Sequence, residues 1–261
     1  MDMDIEHDLR QISPGPDGPT RLFESDHHAV YWLGIAEETA FRCNVYLITD
    51  HDEGVIIDPG SRIHFSQVRE RVARIMAPEK INAMVLCHQD PDVAASMVDW
   101  LAVNPQMQVV TSPRSHVLLP HYGIRGYAFH DIEKTPLYTF ASGKRLRFIT
   151  APFLHSPAAF TTLDETPGFL FSGDIWAAMT TDWRLVVEDF ESHSLDMDLF
   201  HMDYMASNIA ARGFVAKLDS LTINAILSQH GSIIGPRHVP AALDYLRRLR
   251  CGTDIAYSAL I

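Results

Sequence analysis

Four short segments of this chain end an apolar run in side chains able to bind a metal: LCHQDPD (86–92), PFLHSP (152–157), FSGD (171–174) and LSQHG (227–231). They supply His88, Asp90, Asp92, His155, Asp174 and His230, three imidazoles and three carboxylates. Loops beyond strand ends are where a scaffold can fix binding groups while leaving them free of the core. Each segment alone has an ordinary reading. A histidine at a strand end often serves only as a hydrogen-bond partner, and Gly-Asp after a strand is a common turn. The HxDxD loop is less easily explained as turn chemistry, because it packs three candidate ligands around Pro91, which stiffens it. Taken together, with each closing an apolar run, the six side chains point to a metal centre ringing one cavity.

The elements that must position them can be read from periodicity. AVYWLGI (29–35), NVYLIT (44–49) and GVIID (54–58) are short and rich in β-branched and aromatic residues, which predicts an antiparallel meander with a hairpin turn at DHDE. From residue 64 the spacing of Phe65, Val68, Val72 and Ile75 predicts a helix. AMVLC (83–87) then reads as a strand, and Val93, Met97 and Leu101 as the stripe of a helix after the polar loop. The alternation continues with strands at QVVTS (108–112), RLRFITA (145–151), GFLFS (168–172) and NAILS (224–228). A long amphipathic stretch is expected from about Leu195 to Leu218, and a last helix carries Val239, Leu243, Leu246 and Leu249. Strands buried on both faces and alternating with helices imply sheets covered by helices, so the expected α/β architecture is an αββα sandwich. Residues 1–20, with the Pro- and Gly-rich ISPGPDGP at 12–19, are expected to be an N-terminal tail, and residues 21–261 a single domain.

Composition narrows the partners. The chain has 261 residues, 47% hydrophobic and 21% charged, enough for a substantial core. Its formal net charge of −12, with no basic cluster, argues against nucleic acid and anionic membranes. No apolar run reaches bilayer length and the acidic MDMDIEHDL start lacks the features of a signal peptide, so a cytoplasmic protein without membrane insertion is expected. Cys43, Cys87 and Cys251 lack CxxC spacing, which argues against a disulfide framework or zinc ribbon. Cys87 is expected to pack in the core, Trp32 and Tyr204 to serve a core or interface, and His27, His28 and His51 to face solvent.

The order and spacing of the four segments, with VIIDPG at 55–60 and the preceding CNVYLI, resemble the metallo-β-lactamase superfamily from about Val30 to Leu249. Asp58 matches that superfamily's structural aspartate. Hydrolytic members carry HxHxDH, whereas here Asp90 stands at the second His position and Val93 at the last. A carboxylate in place of an imidazole adds hard oxygen donors, moving preference from zinc towards iron or manganese. An acidic residue in that place is the mark of the flavodiiron branch, and HQDPDV is most similar to its stand-alone oxygen-binding di-iron relatives. SPAAF, GFLFSGD and ASNI near residue 206 also resemble that pattern. The resemblance implies one iron held by His88, Asp90 and His155 and a second by Asp92 and His230, with Asp174 and an oxide or hydroxide bridging. Val93 cannot ligate, which implies a more apolar pocket wall near the second iron; it also fits simply as the start of the stripe with Met97 and Leu101.

Flavodiiron enzymes carry a flavodoxin domain after the di-iron domain. Here the sequence closes soon after His230 and shows no phosphate-cradling Gly-rich loop, so no FMN is expected in this chain. The expectation is a non-heme di-iron protein that binds dioxygen as a peroxo adduct, acting as a sensor through surface contact with a signalling protein. The alternatives are an oxygen or nitric oxide reductase fed by a separate flavoprotein or rubredoxin, a metal-dependent ester or phosphodiester hydrolase, and a non-catalytic interaction domain. A homodimer is implied by the resemblance alone.

Overall fold

The computed structural model describes residues 5–15, 18–35 and 39–260. A seven-stranded sheet contains β1 (Thr20–Ser25), β2 (His28–Trp32), β3 (Tyr46–Asp50), β4 (Glu53–Ile57), β5 (Ile81–Val85), β6 (Gln108–Thr111) and β7 (Ala128–Asp131), in that order. Strands β2, β3 and β4 form the expected antiparallel meander, β1 adds a further antiparallel strand at its edge, and β4 through β7 are parallel. A five-stranded sheet contains β8 (Leu137–Thr139), β9 (Arg145–Thr150), β10 (Phe160–Asp164), β11 (Phe169–Gly173) and β12 (Ala225–Ser228), in spatial order β12-β11-β10-β9-β8. The β11–β12 pair is parallel and the others are antiparallel, so β9, β11 and β12 run the same way.

The two sheets face each other over an apolar layer that includes Trp32, Tyr46, Ile57, Phe160, Phe169, Phe171 and Leu227. The outer face of the first sheet is covered by α2 (Phe65–Ala73), α3 (Pro91–Ala94) and α4 (Met97–Val103), with α1 (Ile5–Gln11) lying beside β1 and α5 (Pro113–His116) after β6. Val68, Val72, Val93, Met97, Trp100 and Leu101 form that layer's buried stripe. The second sheet is covered by α6 (Phe190–Tyr204), α7 (Asn208–Leu218) and α8 (Val239–Arg248), through Met197, Phe200, Phe214, Val215 and Leu246; α9 (Thr253–Ala256) follows. Each such side chain removed from water contributes roughly 1.5–3 kcal/mol, so three apolar layers can hold four layers of structure together. The fold is the αββα sandwich.

Several local details differ from expectation. The stretch 195–218 is two helices, broken at Met205–Ser207: the Ser207 hydroxyl caps α7 at Ala210 N–H, and Asp254 accepts from Asn208 N–H. The segment expected to be a tail contains α1, whose Leu9 is buried; Met1–Asp4, Pro16 and Asp17 lie outside the described residues. His28 is fully buried instead of facing solvent, with Nε2 2.7 Å from Asp164 Oδ2. Its position on β2 turns it into the inter-sheet layer beside Phe23 and Phe140, where the carboxylate from β10 meets its Nε2.

Candidate metal centre

All six candidate ligands stand at the same edge of the sandwich. His88 follows β5, Asp90 and Asp92 flank Pro91 at the start of α3, His155 lies in the loop after β9, Asp174 directly follows β11, and His230 follows β12. Pro91 at the first helical position turns the chain sharply, so that the acids at 90 and 92 can face the cavity from one loop.

Two donor groups result. Ligand atoms of His88, Asp90 and His155 lie within 4.8 Å of one another, and so do those of Cys43, Asp92 and His230. Asp174 reaches both groups. Its Oδ2 is 3.3 Å from His88 Nε2 and 2.8 Å from His155 Nε2, while its Oδ1 is 3.5 Å from His230 Nε2. Asp90 Oδ2 lies 3.6 Å from His88 Nε2 and 3.5 Å from His155 Nε2; Asp92 Oδ2 lies 3.2 Å from His230 Nε2.

The ring nitrogens that face away from the cavity are anchored. His230 Nδ1 lies 2.9 Å from the Arg42 carbonyl, and His88 Nδ1 lies 3.1 Å from Cys87 Sγ. With Nδ1 so occupied, Nε2 is the nitrogen turned inward. Buried His88 Nε2, His230 Nε2 and Asp174 Oδ1 carry no hydrogen bond. Buried polar atoms are normally satisfied, so three orphans among these two donor groups mark a place for cations. The donor set fits iron: hard carboxylate oxygens with imidazoles.

The electrostatics make the same demand. Burial disfavours a charged His88, but Asp174 overrides it and holds the ring's proton affinity well above the ordinary range. Burial likewise opposes charge on His230, yet the Asp92 contact and neighbouring groups push it up to about 10. Burial would raise Asp174, but His88 and His155 hold it well below the usual carboxylate range. The closeness of His88, with the His155 charge, lowers Asp90 against the opposing effect of its burial. Three confined carboxylates thus draw positive charge to the facing imidazoles, a role a metal can take over.

Supporting residues that the spacing does not reveal hold these loops together. Gln89 donates to Asp90 Oδ1 at 2.8 Å and accepts from Ser156 at 3.0 Å, tying the His88 loop to the His155 loop. Tyr122 donates to the Gln89 carbonyl at 2.7 Å. Asp58, at a positive φ of 47° after β4, accepts from Cys87 N–H at 2.9 Å and so supports the residue before His88, as its expected structural role requires. Cys87 is buried as expected but also touches His88. Asn44 bonds the carbonyls of Ser228 and Gly231 on either side of His230. Trp183 donates its indole N–H to the same Gly231 carbonyl at 2.8 Å and stacks on Trp32. Cys43 was the residue least visible in advance, since a single thiol carries no spacing signal.

An aromatic wall closes one side. Phe41 stacks on His230 with ring centroids 3.8 Å apart, Phe200 stacks on both Phe41 and Tyr204, and the Tyr204 ring meets His155 edge to face. Tyr204 is thus an exposed wall residue, and Trp32 is core. Val93 is fully buried with Met97 and Leu101 in the helical layer, consistent with its reading as part of that stripe.

Among the described residues, no helix is long and apolar enough to cross a membrane. A solved structure described as a peroxy diiron species of the chemotaxis sensor ODP matches over 92% of this chain and 99% of its own, at 33% identity and a TM-score of 0.82. The apo state of the chemotaxis sensor ODP from T. denticola matches over 92% and 98%, at 33% identity and a TM-score of 0.80. The flavo-diiron protein FprA2 of Clostridium acetobutylicum is 26% identical over 73% of this chain and 49% of its own length. The chain spans between about a third and three fifths of the length of such flavoprotein relatives. The profile of the ODP family beta lactamase matches residues 41–231, and the chain belongs to that family.

Proposed function

We propose that this chain holds two iron ions and binds dioxygen as a cytoplasmic sensor. The observation that carries the reading is Asp174, whose two oxygens reach separate donor groups while the buried imidazole nitrogens around it carry no hydrogen bond. His88, Asp90 and His155 would hold one iron and Asp92 and His230 the other, with Asp174 and an oxide or hydroxide shared between them. When bound, a reduced iron pair would supply two electrons to a diatomic ligand. The protein's part is to orient the imidazoles through Arg42 and Cys87, to offset the metal charge with three carboxylates, and to keep bulk water away with Phe41, Phe200 and Tyr204. Support also comes from the sensor whose iron species is named in the matched structure.

In this reading the chain uses no FMN of its own, and its signal leaves through contact with another protein. The homodimer implied by resemblance belongs to the same proposal, and light scattering tests it. A reductase fed by a separate flavoprotein or rubredoxin is the alternative, supported by the flavo-diiron relatives.

Metal analysis of anaerobically purified protein, followed by absorption spectra before and after air reaches the reduced form, tests the proposal. About two irons per chain and a persistent visible band are expected. Zinc, or iron with no optical response to oxygen, overturns the proposal and directs attention to ester and phosphodiester hydrolysis. Sustained oxygen or nitric oxide consumption with an artificial donor replaces the sensor with the reductase.

A further inference from the structure

The two donor groups are unequal. The first has two imidazoles and a carboxylate of its own, from His88, His155 and Asp90; the second has one imidazole and one carboxylate, from His230 and Asp92. Val93 does not make up the difference, being packed in the helical layer.

Cys43 stands where the missing donor would be. Its Sγ lies 4.0 Å from Asp92 Oδ2, and Sγ, that carboxylate and His230 Nε2 all fall within 4.8 Å of one another. The backbone builds this juxtaposition: Cys43 and His230 form an antiparallel bridge, and Asn44 N–H donates to the Gln229 carbonyl at 2.6 Å. A second, independent feature points into the same space. His230 is fully buried, its Nδ1 is occupied by the Arg42 carbonyl, and its Nε2 has no hydrogen bond.

We propose that Cys43 is a thiolate ligand of the second metal. The inference rests on the two-metal reading of this site. On binding, a metal–sulfur bond forms and the thiol proton leaves to solvent, with no change of oxidation state. The thiolate supplies a fourth negative charge beside those of Asp90, Asp92 and Asp174, adding to the offset of the metal charge. It also makes the second position softer than the first, favouring iron, cobalt or zinc over manganese there.

Anaerobic titration with cobalt(II) tests this in the whole chain. In the wild type and in Cys251→Ser, an intense near-ultraviolet sulfur-to-cobalt band is expected to grow with cobalt uptake at the second position. Cys43→Ser is expected to bind cobalt at the first position without that band. Alkylation of Cys43 by iodoacetamide in the wild type, which needs no variant, is expected to slow by about tenfold or more once cobalt is bound, because the metal occupies the nucleophilic thiolate. Cys87 and Cys251 are buried and do not compete for the reagent. Uptake of two cobalt ions with no such band and no protection of Cys43 overturns the thiolate ligand alone. Failure of the wild type to take up cobalt overturns the two-metal reading and the ligand with it.

Discussion

Asp174 serves both donor groups, so its loss cannot be confined to one of them. Asp174→Asn keeps the shape but removes a charge, and the iron content is expected to fall from about two per chain to one or fewer. Metal analysis of the purified variant checks this; retention of the full content would remove Asp174 from its bridging place. The residues of this centre were unequally visible. His88, Asp90, Asp92, His155, Asp174 and His230 each sit where an apolar run stops, a local signal. Cys43 acquires its meaning only through the backbone bridge to His230, and Gln89 only through Ser156, contacts between distant parts of the chain. His28 misled for the same reason, because Asp164, its buried partner, lies on another sheet.

At the scale of elements, α6 is fastened to the loop that carries Asp174 by His201. Its Nδ1–H donates to the Met197 carbonyl at 2.8 Å and its Nε2 accepts from Trp176 N–H at 2.9 Å, so the neutral ring is fully used. Burial pushes His201 down to about 4, and does the same to His193 on the same helix. The unfolded chain therefore binds protons more readily than the folded one below about pH 6.5. The stability associated with neutral His201 is present above that pH and is lost as pH falls through 4, by about 3 kcal/mol. His201→Gln can keep both hydrogen bonds without titrating, so urea unfolding of this variant should depend less steeply on pH between 6.5 and 4. An unchanged slope would separate His201 from the acid response. Gly173 closes β11 at a positive φ of 57°, and a Cβ there would lie 2.7 Å from Cys87 Sγ beneath His88. Gly173→Ala should cost about 1–3 kcal/mol and weaken metal binding, measured by unfolding and by metal titration. The strands before the ligands were legible as apolar runs; β10 was not, because Thr161 and Thr162 are buried polar residues that break such a pattern. The split between α6 and α7 was hidden because Asp254, which supports the second helix's start, comes much later in the chain.

For the whole molecule, each donor group draws on both sheets: His88 and Asp90 meet His155, while Asp92 meets His230. Metal that binds only the folded arrangement stabilises it by about 2.7 kcal/mol at a hundredfold excess over Kd. For a domain of this size the unfolding temperature should rise by about 5–10 °C on loading and fall back on chelation, as differential scanning calorimetry can measure. The sandwich was legible because its apolar layers repeat along the chain, whereas the pairing of loops across it depends on tertiary contacts. Trp183 extends these consequences to the molecule's light emission. Its indole is bound to the carbonyl next to His230 and stacked on Trp32, so an ion arriving at that imidazole changes the surroundings of an intrinsic fluorophore. Tryptophan emission should track filling of the second position, and most of that response should vanish in Trp183→Phe. The chain would then carry its own optical gauge of occupancy, readable without a dye and before any oxygen is added.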